Sequence, residues 1–109
     1  MLIDFSTMEW KDNPHFKDGE GSLINKMFVS DETKIMLGKL EPGSSIGMHT
    51  HEGDFEVVYI LEGSGTMLSP DGDTKAVPGT AQYCPEGHGH SLVNDGAEDL
   101  IFFAVIPKK

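Results

Sequence analysis

No stretch of this chain sustains the 3.6-residue apolar period of a packed helix; short apolar runs are cut again and again by glycine and proline. Thirteen glycines and six prolines stand between the runs as punctuation. The runs are Lys26–Ser30, Ile35–Leu40, Ser44–His51, Phe55–Leu61, Thr66–Ser69, Lys75–Val77, Thr80–Cys84, His88–Val93 and Leu100–Ile106. Turn signals separate them, among them Glu41-Pro42-Gly43, Pro70-Asp71-Gly72-Asp73, Pro85-Glu86-Gly87 and Asn94-Asp95-Gly96. The pattern predicts roughly eight to ten short strands in an all-β sandwich or jelly-roll barrel. A chain of 109 residues holds one such domain and no second module.

Two runs say more. In Phe55–Leu61, Phe55, Val57, Tyr59 and Leu61 share one face, and Glu56, Val58 and Ile60 share the other. Leu100–Ile106 is apolar at every position, so both its faces should be covered. One face can fill a barrel; the other needs a second sheet or a second subunit, which points to a homodimer. Residues 1–25 read as an irregular arm of the same domain, with 26–109 forming the barrel. Trp10 and Phe16 in that arm could cover an open end or pack across a dimer, and a loosely packed arm is the alternative.

Eight Lys plus Arg against eighteen Asp plus Glu give a net charge of −10. Such a field repels nucleic acid and anionic membrane, whose binding needs a basic patch. The single cysteine, Cys84, rules out an intrachain disulfide and fits a reducing compartment. No basic start leads into a long apolar run, and no apolar run approaches bilayer length, so the expected location is cytoplasmic.

The chemistry gathers at His49-Thr50-His51. Residues i and i+2 of a strand point to one face, so both imidazoles project together and can chelate a metal. Glu56 follows beyond Gly53, where the chain can turn and return to the same point from the next strand. His90 is distant in sequence, but packed sheets bring such distant strands together.

These residues stand in a frame that resembles the cupin family. Gly43, five residues, His49-Thr50-His51, four residues, Glu56, six residues and Gly63 match its first motif. Gly79, five residues, Pro85-Glu86-Gly87, two residues, His90, three residues and Asn94 match its second. Fifteen residues separate the two, the short spacing of small single-domain microbial cupins. The resemblance spans Lys34 to Ile106. It implies a double-stranded β-helix of two antiparallel sheets, with His49, His51, Glu56 and His90 as metal ligands. A homodimer is also implied.

Other residues have plainer readings. His88, Glu52 and Glu86 flank the site in sequence and are candidates for proton transfer, against the alternative of exposed loop or turn residues. Cys84 is a small buried filler, with no basic neighbour to activate it. His15 belongs to the surface, and Asn94 to a turn. Met36, Met48, Met67, Phe102 and Phe103 are read as core fillers, while Val58 and Ile60 share Glu56's face and should line a pocket.

Three imidazoles and a carboxylate suit one divalent ion such as Mn, Fe, Ni, Co or Zn. Octahedral placement would leave two cis positions for a small oxyacid. The expected function is a metal-dependent enzyme on a small carboxylate, keto acid or diol, with dioxygenase, decarboxylase or isomerase chemistry implied by the resemblance. The alternative is a cupin that binds or senses a small ligand without turning it over.

Overall fold

The computed structural model describes residues Met1–Lys109 and contains ten strands. They are β1 (Lys11–Pro14), β2 (Ser22–Val29), β3 (Thr33–Leu40), β4 (Ser45–Thr50), β5 (Glu56–Glu62), β6 (Gly65–Leu68), β7 (Thr74–Ala76), β8 (Ala81–Cys84), β9 (Gly89–Val93) and β10 (Leu100–Pro107). A six-stranded sheet runs in the order β1-β2-β3-β10-β5-β8, and a four-stranded sheet runs β4-β9-β6-β7. All the pairings are antiparallel. The all-β jelly-roll architecture anticipated from the turn spacing is therefore present. No helix is long and apolar enough to cross a membrane.

Alternation decides what each strand buries. On β5, Glu56, Val58 and Ile60 face the interior, while Val57, Tyr59 and Leu61 are exposed. On β10, Leu100, Phe102 and Ala104 are fully or almost fully buried. The opposite face of β10, carrying Ile101, Phe103 and Val105, is only half-covered. The core joins these inward residues to Leu23, Met36, Leu40, Ile46, Met67 and Leu92. Complete burial of one large apolar side chain contributes about 1.5–3 kcal/mol, so this cluster supplies much of the drive to fold.

The Phe102 ring needs an empty space beside it. Phe102 pairs with Gly38 across β10 and β3, and a Cβ on Gly38 would lie 2.2 Å from the ring's Cζ. Glycine there lets a bulky ring lie over the backbone of the neighbouring strand. Asn94 anchors the end of β9: its Nδ2 donates to the carbonyls of Leu40 (2.7 Å) and Glu98 (2.8 Å), and its Oδ1 accepts from the Gly96 amide.

The N-terminal stretch is more regular than its composition suggests. β1 pairs with β2, and β2 already begins at Ser22, so both extend the larger sheet within residues read as an irregular arm. Lys11-Asp12-Asn13-Pro14 carries no apolar alternation, because this edge strand is almost wholly exposed. Phe16 packs against the core and lines its cavity. Trp10 lies elsewhere, with the ammonium groups of Lys26 and Lys39 at 4.8 and 4.6 Å from its ring centroid. The short turn Phe16–Asp18 is pressed against β4 so tightly that a Cβ on Gly47 would sit 1.8 Å from the Lys17 carbonyl oxygen. Two core assignments need correcting. Met48 is 52% exposed, because a break in the β4–β9 register between Ile46 and His49 turns it outward although Ile46, two residues earlier, is buried, and Phe103 sits on the outer face against the ring of Phe5.

Candidate metal centre

The four residues singled out in sequence meet in space. One ligand atom from each of His49, His51, Glu56 and His90 can be chosen so that all lie within 4.8 Å of one another. His49 (β4) and His90 (β9) are register partners in the smaller sheet. His51 lies just past the end of β4, and Glu56 opens β5 in the larger sheet. The three imidazole centroids are 4.7 to 5.0 Å apart, with mutual tilts of 60° to 68°. They form a three-bladed arrangement, and Glu56 lies against two of the blades, His51 and His90. His51, Glu56 and His90 are buried, and His49 is half-buried at the cavity wall.

Each imidazole is held from behind. His49 Nδ1 donates to the Gly47 carbonyl (2.8 Å), His51 Nδ1 to Asp54 Oδ1 (2.8 Å) and His90 Nδ1 to Gln82 Oε1 (2.7 Å). A proton fixed on Nδ1 leaves the Nε2 lone pair of the neutral ring free to bind a cation, which is the arrangement found behind metal-ligating histidines. At the front, His51 Nε2 and His90 Nε2 lie 2.9 and 2.8 Å from Glu56 Oε1 and 3.0 Å from each other. Two ring nitrogens that close need a proton or a cation between them. The spacing matches ligand atoms about 2.1 Å from one ion at right angles to each other. The donor set therefore fits a divalent transition metal.

Without an ion, protons serve that purpose. Burial pushes the Glu56 carboxyl up, but hydrogen bonds from His51 and His90, with the charge on those rings, outweigh it and bring the pKa down to about 2. The hydrogen bond to Glu56 raises His51 despite burial, helped by Asp54. Burial lowers His49, only partly opposed by the Gly47 carbonyl. The group thus carries an ionised carboxylate at neutral pH among three imidazoles, a good starting point for metal uptake.

A cavity of about 320 Å³ opens onto these donors. Val58, Met36, Met67, Leu92 and Phe102 form its apolar wall. Val58 lines it as expected, whereas Ile60 is absent from this wall and lines, with Val58, Met67 and Gln82, a second cavity of about 290 Å³. Glu52 and Asp54 stand in the wall near the donors, and Lys17 and Lys34 are its two cationic residues.

The remaining candidates are spread out. Glu52 is exposed and borders the cavity. Glu86 lies outside the cavity lining, and its carboxylate accepts from the Gly53 amide at 2.8 Å, bracing the turn between His51 and Glu56. His88 is exposed and contributes its backbone, the carbonyl accepting from the His51 amide. Cys84 is buried, with its thiol directed at the His88 carbonyl and its pKa pushed up by burial and by the nearby Glu56 and Asp54 carboxylates. His15 is exposed.

Sequence reasoning passed over three residues. Asp54 stands in the sequence as part of the break between two runs, yet a carboxylate three residues after a histidine can reach back to it, as Asp54 does to His51. Gln82 shares a strand face with Cys84 on β8, and a polar side chain on an inward face was the available signal. Asn25 is 96% buried in the cavity wall, hidden within the stretch read as irregular.

Comparison with known proteins agrees with this architecture. Residues 36–106 match the family model for the cupin domain, and the chain belongs to the cupin family. It is 46% identical over 85 residues to an oxalate-binding protein of Thermotoga maritima, covering 77% of this chain and 70% of that one. The crystal structure of a predicted oxalate decarboxylase from T. maritima superposes with a TM-score of 0.93 at 31% identity, over 100% of both chains. A cupin-superfamily sugar phosphate isomerase from Silicibacter pomeroyi gives a TM-score of 0.82 at 22% identity, covering 100% of this chain and 76% of that one, a likeness of fold alone.

Proposed function

We propose that this cupin holds one divalent transition-metal ion (Mn, Fe, Ni, Co or Zn) through His49, His51, Glu56 and His90. On this reading it acts on a small carboxylate, keto acid or diol bound beside that ion. The observation that carries the reading is the gathering of four ligand atoms within 4.8 Å, with all three Nδ1 atoms engaged from behind and the Nε2 atoms of His51 and His90 set against the buried Glu56 carboxylate. Bound there, the ion supplies a Lewis acid, or an oxygen-activating centre if it is redox-active. The protein's part is to orient the three rings, to keep Glu56 ionised and to wall the ligand off from bulk water with apolar side chains. Dioxygenase, decarboxylase and isomerase chemistry are all compatible with this arrangement.

Metal analysis of protein purified and then offered Mn²⁺, Fe²⁺ or Ni²⁺ tests the centre. The expected result is about one ion per chain, absent when all four positions are changed to alanine. Equal uptake by wild type and the quadruple variant refutes it. Oxygen uptake and product analysis against a panel of small acids then test turnover, which His51→Ala should abolish.

A second reading, binding without turnover, has its own support. Of the three proton-transfer candidates only Glu52 reaches the cavity wall, and the 46% identical relative is named for binding oxalate. Tight binding across the panel with no product supports it. We also propose a homodimer in which a second copy covers the exposed Val57, Tyr59, Leu61 and Tyr83 on the outer face of the larger sheet. Sedimentation showing only monomer at micromolar concentration refutes that. The reducing cytoplasm is the proposed location, on the strength of the lone buried Cys84.

A further inference from the structure

The cavity is larger than the smallest oxyacids need, and its far wall is not uniformly apolar. At the volume one water takes in the liquid, about 30 Å³, a space of about 320 Å³ holds roughly ten non-hydrogen atoms. A two-carbon diacid at the metal centre would leave much of it empty against Val58, Met36 and Phe102. Beside Met36, Asn25 lines the same cavity at 4% exposure. Its Oδ1 accepts from Asn13 Nδ2 (3.1 Å), which fixes the amide's orientation. Its Nδ2, which carries two protons, has only the thioether sulfur of Met36 as a partner, at 3.8 Å. Thioether sulfur is a weak acceptor, so a buried amide there keeps donor capacity directed into an apolar space.

We infer that the ligand is a 2-oxo or 2-hydroxy acid whose apolar body of about three or four carbons fills the inner cavity and whose tail bears an uncharged oxygen that accepts from Asn25. The inference rests on the metal reading for the acid head; cavity size and the Asn25 donor carry the rest. An uncharged oxygen matches the neutral amide donor: the cavity's two cations, Lys17 and Lys34, are exposed, whereas Asn25 and Met36 are buried, so a charged tail at Asn25 would be desolvated beside a neutral partner. Asn25 is thus a specificity-determining residue for the tail, carried on β2, three strands along the larger sheet from Glu56 on β5.

The test is calorimetric binding to Mn²⁺-loaded protein, with bound Mn²⁺ measured on the same samples. Pyruvate, 2-oxohexanoate and 2,5-dioxohexanoate share one chelating head and differ in the tail. Each methylene buried is worth about fourfold in affinity. 2-Oxohexanoate should therefore bind at least about tenfold more tightly than pyruvate, allowing for incomplete burial. The added ketone should gain roughly another fivefold from its hydrogen bond. Asn25→Leu should remove the ketone's advantage while leaving Mn²⁺ content and the tail's advantage in place. Asn25→Asp, which keeps the shape and the bond from Asn13 but offers no amide donor, should do the same. Equal affinity for pyruvate and 2-oxohexanoate in loaded protein overturns the cavity argument. A ketone preference that survives both substitutions overturns the role of Asn25. Protein that takes up no Mn²⁺ overturns the metal reading and this one together, so the two failures are distinguishable.

Discussion

Replacing Glu56 by glutamine keeps the shape of the side chain and removes its charge, and the structure sets the size of the effect in the metal-free protein. Glu56 is 5% exposed, with two imidazole nitrogens within 2.9 Å of Oε1. Its pKa falls from an ordinary 4.5 to about 2, which at about 1.4 kcal/mol per pH unit corresponds to about 3 kcal/mol of stability. The sign follows from the direction. A carboxyl with a depressed folded-state pKa contributes fully above its unfolded value near 4.5 and loses that contribution as pH falls toward 2. His51 runs the other way: its raised pKa stabilises below the ordinary 6.5 and fades as pH rises through the folded-state value. The two windows overlap near pH 5 to 6, by the same linkage. There Glu56→Gln should lower the melting temperature of EDTA-treated protein by roughly 12 °C. Urea and thermal unfolding of both proteins from pH 7 down to pH 2 measures the gap. It should be widest near pH 5 to 6 and close on acidification. Superimposable unfolding curves at pH 6, or a gap that persists undiminished at the acid end, would refute the proposed ion cluster.

Asp54→Asn should lower metal affinity about 10- to 100-fold without unfolding the protein, because the amide holds the His51 Nδ1 proton less strongly; competition with a chelator of known affinity measures it. Metal should leave as pH falls below about 6, the range in which free imidazole takes up a proton, and because His51 holds its proton above the ordinary value, affinity should keep rising beyond neutrality. Full retention at about pH 4 contradicts histidine ligation. Gly38→Ala should cost about 1–3 kcal/mol or more, since the new methyl meets the buried Phe102 ring, and a compensating Phe102→Leu should recover part of the loss in chemical denaturation.

The barrel was legible in the sequence wherever a strand is half-buried. Alternation in β5 marks its inward face, and Pro or Gly turns bound most of the runs from β3 to β10 within a residue or two. β1 was not legible, because an exposed edge strand gains its order from the neighbouring ladder and leaves no apolar imprint on the chain. The four donors could be read from spacing and family likeness, since strand periodicity translates directly into which side chains share a face. Their supports could not. Gln82 reaches His90 only because β8 pairs with β5, and Gly47 holds His49 through a backbone carbonyl that any residue would possess. Met48 and Phe103 show the converse limit: an apolar side chain specifies burial only once the outer faces are known.

The two sheets share no strand ladder, and the donors are divided between them, with His49 and His90 on one and Glu56 on the other. On the proposed function, an ion held there would be a rivet through both plates of the sandwich. Its removal would loosen the plates against each other rather than free a single loop. A ligand that alters the ion's grip would then be felt as far away as the edge strands.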